Sequence, residues 1–234
     1  MTSPLIKIES TPDLVDQVYS SLLDAISDGS LAPGVRITQE DIAEQLAVSR
    51  QPVLQAMRLL KKDGFVLDAP GRGVLVAPLD VAGLVQIYQV RSCLDALAAR
   101  LAAQAHRRID SRLICQGRAA ARGLDVKAMV AADAAFHTAI YTASGNPLIA
   151  QSARLHWCHI RRAMGAVLQV STMRESVWDE HEAIACAIEN GNPALAEVLS
   201  GQHGVNASGN LAQLLENTLK HPITAQPKPI TALL

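Results

Sequence analysis

The spacing of glycine and proline changes near Pro78 and divides the sequence into two unlike parts. Before Pro78, short apolar segments are punctuated by glycine and proline, whereas long alanine-rich patterns with helical periodicity follow it almost to the end. A chain of 234 residues can bury one sizeable core or two modest ones. The pattern therefore predicts a first domain over residues 1–78, a helical domain over 79–220 and a flexible tail over 221–234.

The composition favours packed helices over a sheet-rich fold. Hydrophobic residues make up 49% of the chain but aromatic residues only 3%, and alanine is abundant. No apolar run approaches the ~20 residues of a membrane span, and the start of the chain lacks a secretion signal. We therefore expect a cytoplasmic protein without a membrane partner. Because the four cysteines lie far apart, a zinc ribbon or a redox pair is not expected.

Before Pro78, the cap and turn residues predict three short helices and a hairpin. Thr11 and Pro12 suit the N-cap and the first position of one helix. Thr38 can cap a second helix, and Ser49 a third that ends at Gly64. The runs FVLD and VLVA, joined by APGRG, then read as two strands with a glycine-rich tip. Three helices and a two-stranded wing make a winged helix-turn-helix, whose third helix can enter the major groove of DNA.

Cationic and polar side chains fall where such a domain would touch DNA. Arg50 and Gln51 lie at the exposed start of the third helix, and Arg72 lies at the wing tip between two glycines. The alternative is that these are ordinary solvated side chains, and since residues 1–78 are slightly acidic, binding would depend on a local basic face. The predicted DNA-binding residues are Arg36, Ser49, Arg50, Gln51, Arg58, Gly71, Arg72 and Gly73.

After Pro78, the sequence predicts helices throughout. The tripeptide GNP occurs twice, from Gly145 and from Gly191, and each copy supplies a helix-ending glycine, an N-cap asparagine and a proline at the first helical position. The predicted helices cover residues 80–105, 109–122, 126–143, 147–170, 174–190 and 193–217. The fold class is therefore mainly α, with an N-terminal winged helix-turn-helix followed by an all-α helical bundle.

Three of these helices place a histidine on the stripe expected to face inward. Asp133 and His137, four residues apart, share one stripe, while His181 and His203 lie on the inner stripes of two later helices. A single buried histidine is more often a hydrogen-bonded core residue than a ligand. Burying all four side chains without partners would cost several kcal/mol, and one divalent metal ion would satisfy them together. Zinc suits this set best, and nickel, iron, cobalt and manganese remain open.

The two parts resemble two known modules of bacterial transcription regulators. The stretch LAPGVRITQEDIAEQLAVSRQPVLQAMRLLKKDGFV, followed by PGRGVLV, resembles the DNA-binding domain of the GntR family across most of residues 11–77, although Leu54 stands near where that family commonly has arginine. Residues 80–215 resemble the FCD ligand-binding domain of the FadR subfamily, in its shorter VanR-like branch. That resemblance implies a metal site at Asp133, His137, His181 and His203.

The resemblance implies a regulator that binds double-stranded operator DNA as a homodimer and acts as a repressor controlled by a small organic acid. Arg91 lies where an FCD domain has a ligand-contacting arginine, and a guanidinium can grip a carboxylate with two hydrogen bonds. The alternative for Arg91 is an intrahelical pair with Asp95. Asn206, on the stripe of His203, is the second predicted effector contact. A metal-dependent enzyme, or a regulator whose metal is purely structural, are the alternative functions.

Overall fold

The computed structural model describes residues 14–168 and 175–220 and separates the chain into two compact units, Met1–Leu79 and Asp80–Leu234. The predicted cap at Thr11 and Pro12 and the predicted tail over 221–234 lie outside the described residues. Within the described ranges, no helix is long and apolar enough to cross a membrane. The predicted mainly α fold class is confirmed.

The first unit contains the three predicted helices and a small sheet. One further strand, β1, was not predicted, because two residues are too few to show an alternating pattern. It pairs antiparallel with β3, so the sheet order is β1-β3-β2 rather than a simple hairpin. The elements are α1 (Leu14–Ser27), β1 (Arg36–Ile37), α2 (Gln39–Gln45), α3 (Arg50–Lys62), β2 (Val66–Asp68) and β3 (Val74–Val76).

Local cap residues explain where the helices of the first unit begin and end. The hydroxyl of Thr38 accepts a hydrogen bond from the backbone N–H of Asp41 at 3.2 Å, as expected of an N-cap. Ser49 occupies the N-cap position of α3 with an extended backbone, but its side chain makes no cap hydrogen bond. Gly64 has a φ of +79°, a left-handed conformation that ends α3. The side chains of Val53 and Leu60 on α3 are fully buried.

Within residues 80–168 and 175–220, the second unit consists of the six predicted helices. Their bounds differ from the predicted ones by three residues or fewer where both ends are described. Residues 169 and 170, predicted to end the fourth of these helices, lie outside the described residues, and so does residue 174, predicted to begin the fifth. The elements are α4 (Val81–Gln104), α5 (Ser111–Arg122), α6 (Val126–Ala143), α7 (Pro147–Val167), α8 (Ser176–Glu189) and α9 (Pro193–Lys220).

Both GNP tripeptides separate consecutive helices as predicted. Gly145 and Gly191 have φ angles of +71° and +61°. The side-chain oxygen of Asn146 accepts from the N–H of Leu148, and that of Asn192 accepts from a backbone N–H in the first turn of α9. Local sequence therefore determines these two boundaries.

Helix α9 passes unbroken through its three glycines, although glycine normally weakens a helix. A Cβ added at Gly204 would lie 2.1 Å from Oγ and 2.8 Å from Cβ of Ser92 on α4. At Gly201, an added Cβ would lie 4.0 Å from Cβ of Ala96, which is also on α4. Gly209 faces no atom within 4 Å. Gly204 is thus required for the close approach of α4 and α9, and this packing stabilises α9 despite its glycines.

Candidate functional site

The start of α3 presents polar side chains to solvent in the first unit. Arg50 and Gln51 are exposed in the first turn, and Arg58 is exposed two turns later. Arg50 forms an ion pair with Glu40 of α2, with 3.1 Å between Nη1 and Oε1. Because both partners of this pair are largely exposed, the pair is weak and Arg50 can leave it for a phosphate or a base.

The wing owes its shape to Arg36 and two glycines, which the sequence alone predicts as DNA contacts. Nε of Arg36 donates a hydrogen bond to the backbone carbonyl of Arg72 at 2.9 Å, so Arg36 braces the wing. A Cβ at Gly73 would lie 2.4 Å from the carbonyl oxygen of Ile37, so this glycine allows β1 to approach the wing. Gly71 and Gly73 both have φ of +87°. The side chain of Arg72 is exposed at the tip.

The second unit brings the three predicted histidines together in its core. His137 of α6, His181 of α8 and His203 of α9 are all buried, and one nitrogen of each lies within 4.8 Å of the others. Nε2 of His181 and Nε2 of His203 are 3.2 Å apart. Phe136 stacks on the ring of His181, with 4.3 Å between centroids, and holds that ring in place. Helix α6 and the consecutive helices α8 and α9 therefore converge on one point.

Asp133 joins this cluster one turn before His137. Its Oδ1 lies 3.5 Å from Nε2 of His181, and its side chain is 15% exposed. Burial raises the pKa of Asp133 above its usual value, and the positive charge of Arg91 opposes that shift in part. Asp133 thus adds an oxygen donor beside His181, while the mutual spacing within 4.8 Å holds for the nitrogens of the three histidines.

The donor set fits a divalent metal ion. Nε2 of His137 is buried and has no hydrogen-bond partner within residues 14–168 and 175–220, which is costly unless something binds it. Ligand atoms that share one ion at ~2.1 Å lie about 3.0–3.4 Å apart, the range that includes the contact between His181 and His203. Burial lowers the pKa of His137 and of His181 well below the ordinary value, so both rings are neutral and can donate lone pairs.

Glu180 of α8 orients His203 from outside the cluster. Its Oε2 lies 2.7 Å from Nδ1 of His203, and its Oε1 accepts from Nδ2 of Asn206 at 2.9 Å. These hydrogen bonds, with that from His203 the stronger cause, hold the pKa of Glu180 below its usual value. Nδ1 of His203 therefore carries the proton and Nε2 is left to face His181. Asn206, predicted as an effector contact, has hydrogen bonds with Glu180 and Gln202.

A second carboxylate, Asp95 of α4, lies on the other side of His137. Its Oδ2 is 3.2 Å from Nε of Arg91 and 3.7 Å from Nδ1 of His137, and its Oδ1 accepts a hydrogen bond from the Tyr141 hydroxyl. The guanidinium of Arg91 lies 3.8 Å from the ring centroid of Trp157. The intrahelical pair of Arg91 with Asp95 is therefore present, and only 2% of Arg91 is exposed.

Sequence reasoning missed Glu180, Tyr141 and Trp157. Glu180 directly precedes His181, so a helical wheel turns it about 100° away from the inner stripe and predicts a solvated acid. One signal could have identified Glu180, because it is a carboxylate next to a predicted ligand in the sequence. Ligating histidines commonly donate their other ring N–H to a carboxylate.

A cavity of about 160 Å³ opens beside the histidine cluster. It reaches Arg91 and three of the predicted metal ligands, Asp133, His137 and His203, so a small molecule in it could touch either. Asn206 is absent from its lining, whereas Asn210, one turn further along α9, is present. The lining residues are Tyr88, Arg91, Asp133, His137, Met164, Leu168, Val177, His203, Ala207, Asn210, Leu211, Gln213 and Leu214.

The chain matches two protein-family models, one in each unit. Residues 14–76 match the model described as bacterial regulatory proteins, gntR family, and residues 86–206 match the FCD domain. An HTH-type transcriptional regulator of Agrobacterium vitis, encoded in the TAR-I ttuE-ttuC' intergenic region, is 30% identical over 135 residues. Those residues are 55% of this chain and 79% of that protein. The matched families are regulators and not enzymes.

One further relative and two solved structures are also similar to this chain. The probable D-xylose utilization operon transcriptional repressor of Paenarthrobacter nicotinovorans is 27% identical over 79% of this chain and 82% of its own. E. coli McbR/YncC shares the fold with a TM-score of 0.73 at 21% identity, covering 88% of this chain and 99% of that one. A GntR transcriptional regulator from Rhodococcus sp. RHA1 has a TM-score of 0.68 at 22% identity, covering 85% and 97%.

The order of the two matches along the chain agrees with the order of the two structural units. The winged helix-turn-helix comes first and the all-helical domain with the histidine cluster comes second. The chain is therefore a DNA-binding transcription regulator that belongs to the GntR family and carries a C-terminal FCD domain.

Proposed function

We propose that this regulator is a cytoplasmic repressor that binds its operator as a homodimer and responds to a small carboxylate effector bound beside a metal ion. The observation that carries the proposal is the buried cluster of three histidines and Asp133, which opens onto a cavity that Arg91 also lines. The relative from Paenarthrobacter nicotinovorans, described as a repressor, supports the sign of regulation.

Asp133, His137, His181 and His203 would hold a divalent ion, with zinc first and nickel, iron, cobalt or manganese as alternatives. Such an ion supplies a Lewis-acidic position that can bind a carboxylate oxygen. The chain's own contribution is to keep the rings of His137 and His181 neutral by burial. It also orients His203 through Glu180 and His137 through Asp95.

The effector would enter the cavity with its carboxylate toward Arg91. Asp95 holds Nε of this arginine and Trp157 covers its face, so the guanidinium is kept in one orientation. A preorganised cation loses little entropy when an anion binds. Asn206 would support the site through Glu180 and not touch the effector.

DNA would meet the first unit at the start of α3 and at the wing tip. Arg50, Gln51 and Arg58 are exposed on α3 and would face the major groove, and Arg72 would reach the backbone or the minor groove. Ser49, at the N-cap of α3 with its hydroxyl free of cap bonding, is a further phosphate contact. Two copies would read two half-sites, and effector binding would change their spacing.

The test is a DNA titration of the metal-loaded protein at physiological salt, with DNA from its own promoter region and with unrelated DNA. We expect a clear preference for the promoter DNA and its loss when Gln51→Ala removes a base contact. Arg72→Ala should weaken binding to both DNAs and reduce the salt slope by about 1. Arg107→Ala, an exposed arginine of the second unit, is the matched control. The absence of any preference in the wild-type protein would overturn the proposal.

A further inference from the structure

The cavity beside the histidine cluster changes character along its length. Helix α9 contributes His203 at one end and Leu211 and Leu214 further on, about 12 and 16 Å along the helix axis from His203. Asp133 and His137, the polar residues of α6 that line the cavity, lie at the same end of the cavity as His203. One end is therefore polar and the other is walled by aliphatic side chains.

Helices α7 and α8 complete the aliphatic wall. Met164 and Leu168 lie in the last turn and at the C-cap of α7, and Val177 lies in the first turn of α8. The other lining residues at this end are Asn210 and Gln213 of α9, both exposed and both uncharged. Among the lining residues that the structure describes, none at this end is charged, so a carboxylate there would lose its hydration without gaining an opposite charge from them.

The charges lining the cavity allow for one carboxylate. Among the lining residues that the structure describes, Arg91 is the one permanent cation, and Asp95 already compensates it in part at 3.2 Å. Asp133 adds a carboxylate that a metal ion would engage. A ligand with two carboxylates would place the second beside Leu211 and Leu214, where the described lining offers the neutral amides of Asn210 and Gln213 but no cation, which is unfavourable.

We infer that the effector is a small amphipathic monocarboxylate, with its carboxylate at Arg91 and the histidine cluster and its apolar tail against Leu211 and Leu214. The inference rests on the proposed effector site and specifies its ligand. The cavity of about 160 Å³ is smaller than the ~300–1,000 Å³ of pockets for larger ligands, so the tail is short. The aliphatic wall selects against dicarboxylates and against polyhydroxylated acids such as sugar acids.

The test compares three acids of equal chain length by calorimetric titration of the full-length, zinc-loaded protein, repeated after chelation. Hexanoate has one carboxylate and an apolar tail, adipate has two carboxylates, and gluconate has a hydroxylated tail. We expect hexanoate to bind at least about tenfold more tightly than either of the others, because only its tail gains from burial.

A charge introduced at the aliphatic end should reverse this preference. Leu214→Arg places a cation where the second carboxylate of adipate would lie, so hexanoate should bind more weakly and adipate more tightly. Leu219→Arg, on the same helix and outside the cavity lining, is the control and should leave the preference unchanged. If Leu214→Arg fails to fold by circular dichroism, Leu214→Gln serves instead and should narrow the difference between hexanoate and gluconate.

Tighter binding of adipate or gluconate than of hexanoate by the wild-type protein would overturn the inference, as would no binding of any acid. An unchanged preference in the Leu214 variant would also overturn it. Operator binding is measured separately on DNA without acid. A protein that binds its promoter DNA but no acid would therefore refute the ligand class while leaving DNA recognition intact.

Discussion

Alanine at Gly204 tests whether the contact between α4 and α9 explains the glycine-rich helix that carries His203. Gly204→Ala would place a Cβ 2.1 Å from Oγ and 2.8 Å from Cβ of Ser92. The hydroxyl can rotate away, but relieving the second contact requires the two helices to separate. Gly209→Ala, in the same helix with no atom within 4 Å, has no such contact.

Both variants gain helix propensity, but only Gly204→Ala also overpacks the contact between α4 and α9. Each replaces glycine by alanine within α9, which favours the helix by about 1 kcal/mol. Overpacking at Gly204 costs roughly 1–3 kcal/mol. The helix-propensity gain cancels in the comparison, so Gly204→Ala should be less stable than Gly209→Ala by about 1–3 kcal/mol. For a protein of this size each kcal/mol shifts Tm by about 2–4 °C.

Calorimetric melting of both variants and the wild type measures this difference. Gly209→Ala should melt above the wild type and Gly204→Ala below Gly209→Ala. A second-site change, Ser92→Gly, removes the two closest atoms, so it should cost less in the Gly204→Ala background than in the wild type. Equal melting of the two alanine variants, or an additive double variant, would refute the packing explanation.

Two further predictions concern the histidine cluster. Glu180→Gln should lower zinc affinity by about tenfold or more without lowering stability, because the neutral amide orients and polarises His203 less strongly. Competition with a coloured chelator measures this, and an affinity equal to that of Glu182→Gln, an exposed neighbour paired with Arg118, would contradict it. The second prediction concerns pH: in chelator-treated protein, burial keeps the pKa of His137 and His181 well below the ordinary value. The unfolded chain then takes up protons below about pH 6.5 while the native state does not, so stability should fall as pH decreases, by up to ~1.4 kcal/mol per pH unit for each histidine. Denaturant unfolding between about pH 7.5 and 5.5 checks the sign, and stability that rises on acidification would contradict the assignment.

Local rules were sufficient for the helices and for their inward faces, although the two-residue strand β1 was missed. The GNP tripeptides carry their own stop and start signals, so the ends of α6 and α8 could be predicted without knowledge of their neighbours. Helical periodicity placed Asp133, His137, His181 and His203 on inner stripes, because the angle between residues of one helix depends only on their spacing. The pair of Arg91 with Asp95, given as the alternative for Arg91, could be predicted for the same reason, because the two residues are four positions apart in one helix.

The tertiary structure decided which side chains meet across helices. Sequence spacing does not say which helix lies opposite Glu180, so its contact with His203 was not predictable, and neither was the hydrogen bond of Tyr141 to Asp95. Gly204 and Gly209 are both glycines in the middle of α9, and the sequence does not distinguish them. Of the two, only Gly204 lies against α4. The sequence by itself determined the helices and the residue types in the core. The packing of those helices decided which groups share a site, because contacts between distant segments depend on the whole arrangement and not on local spacing.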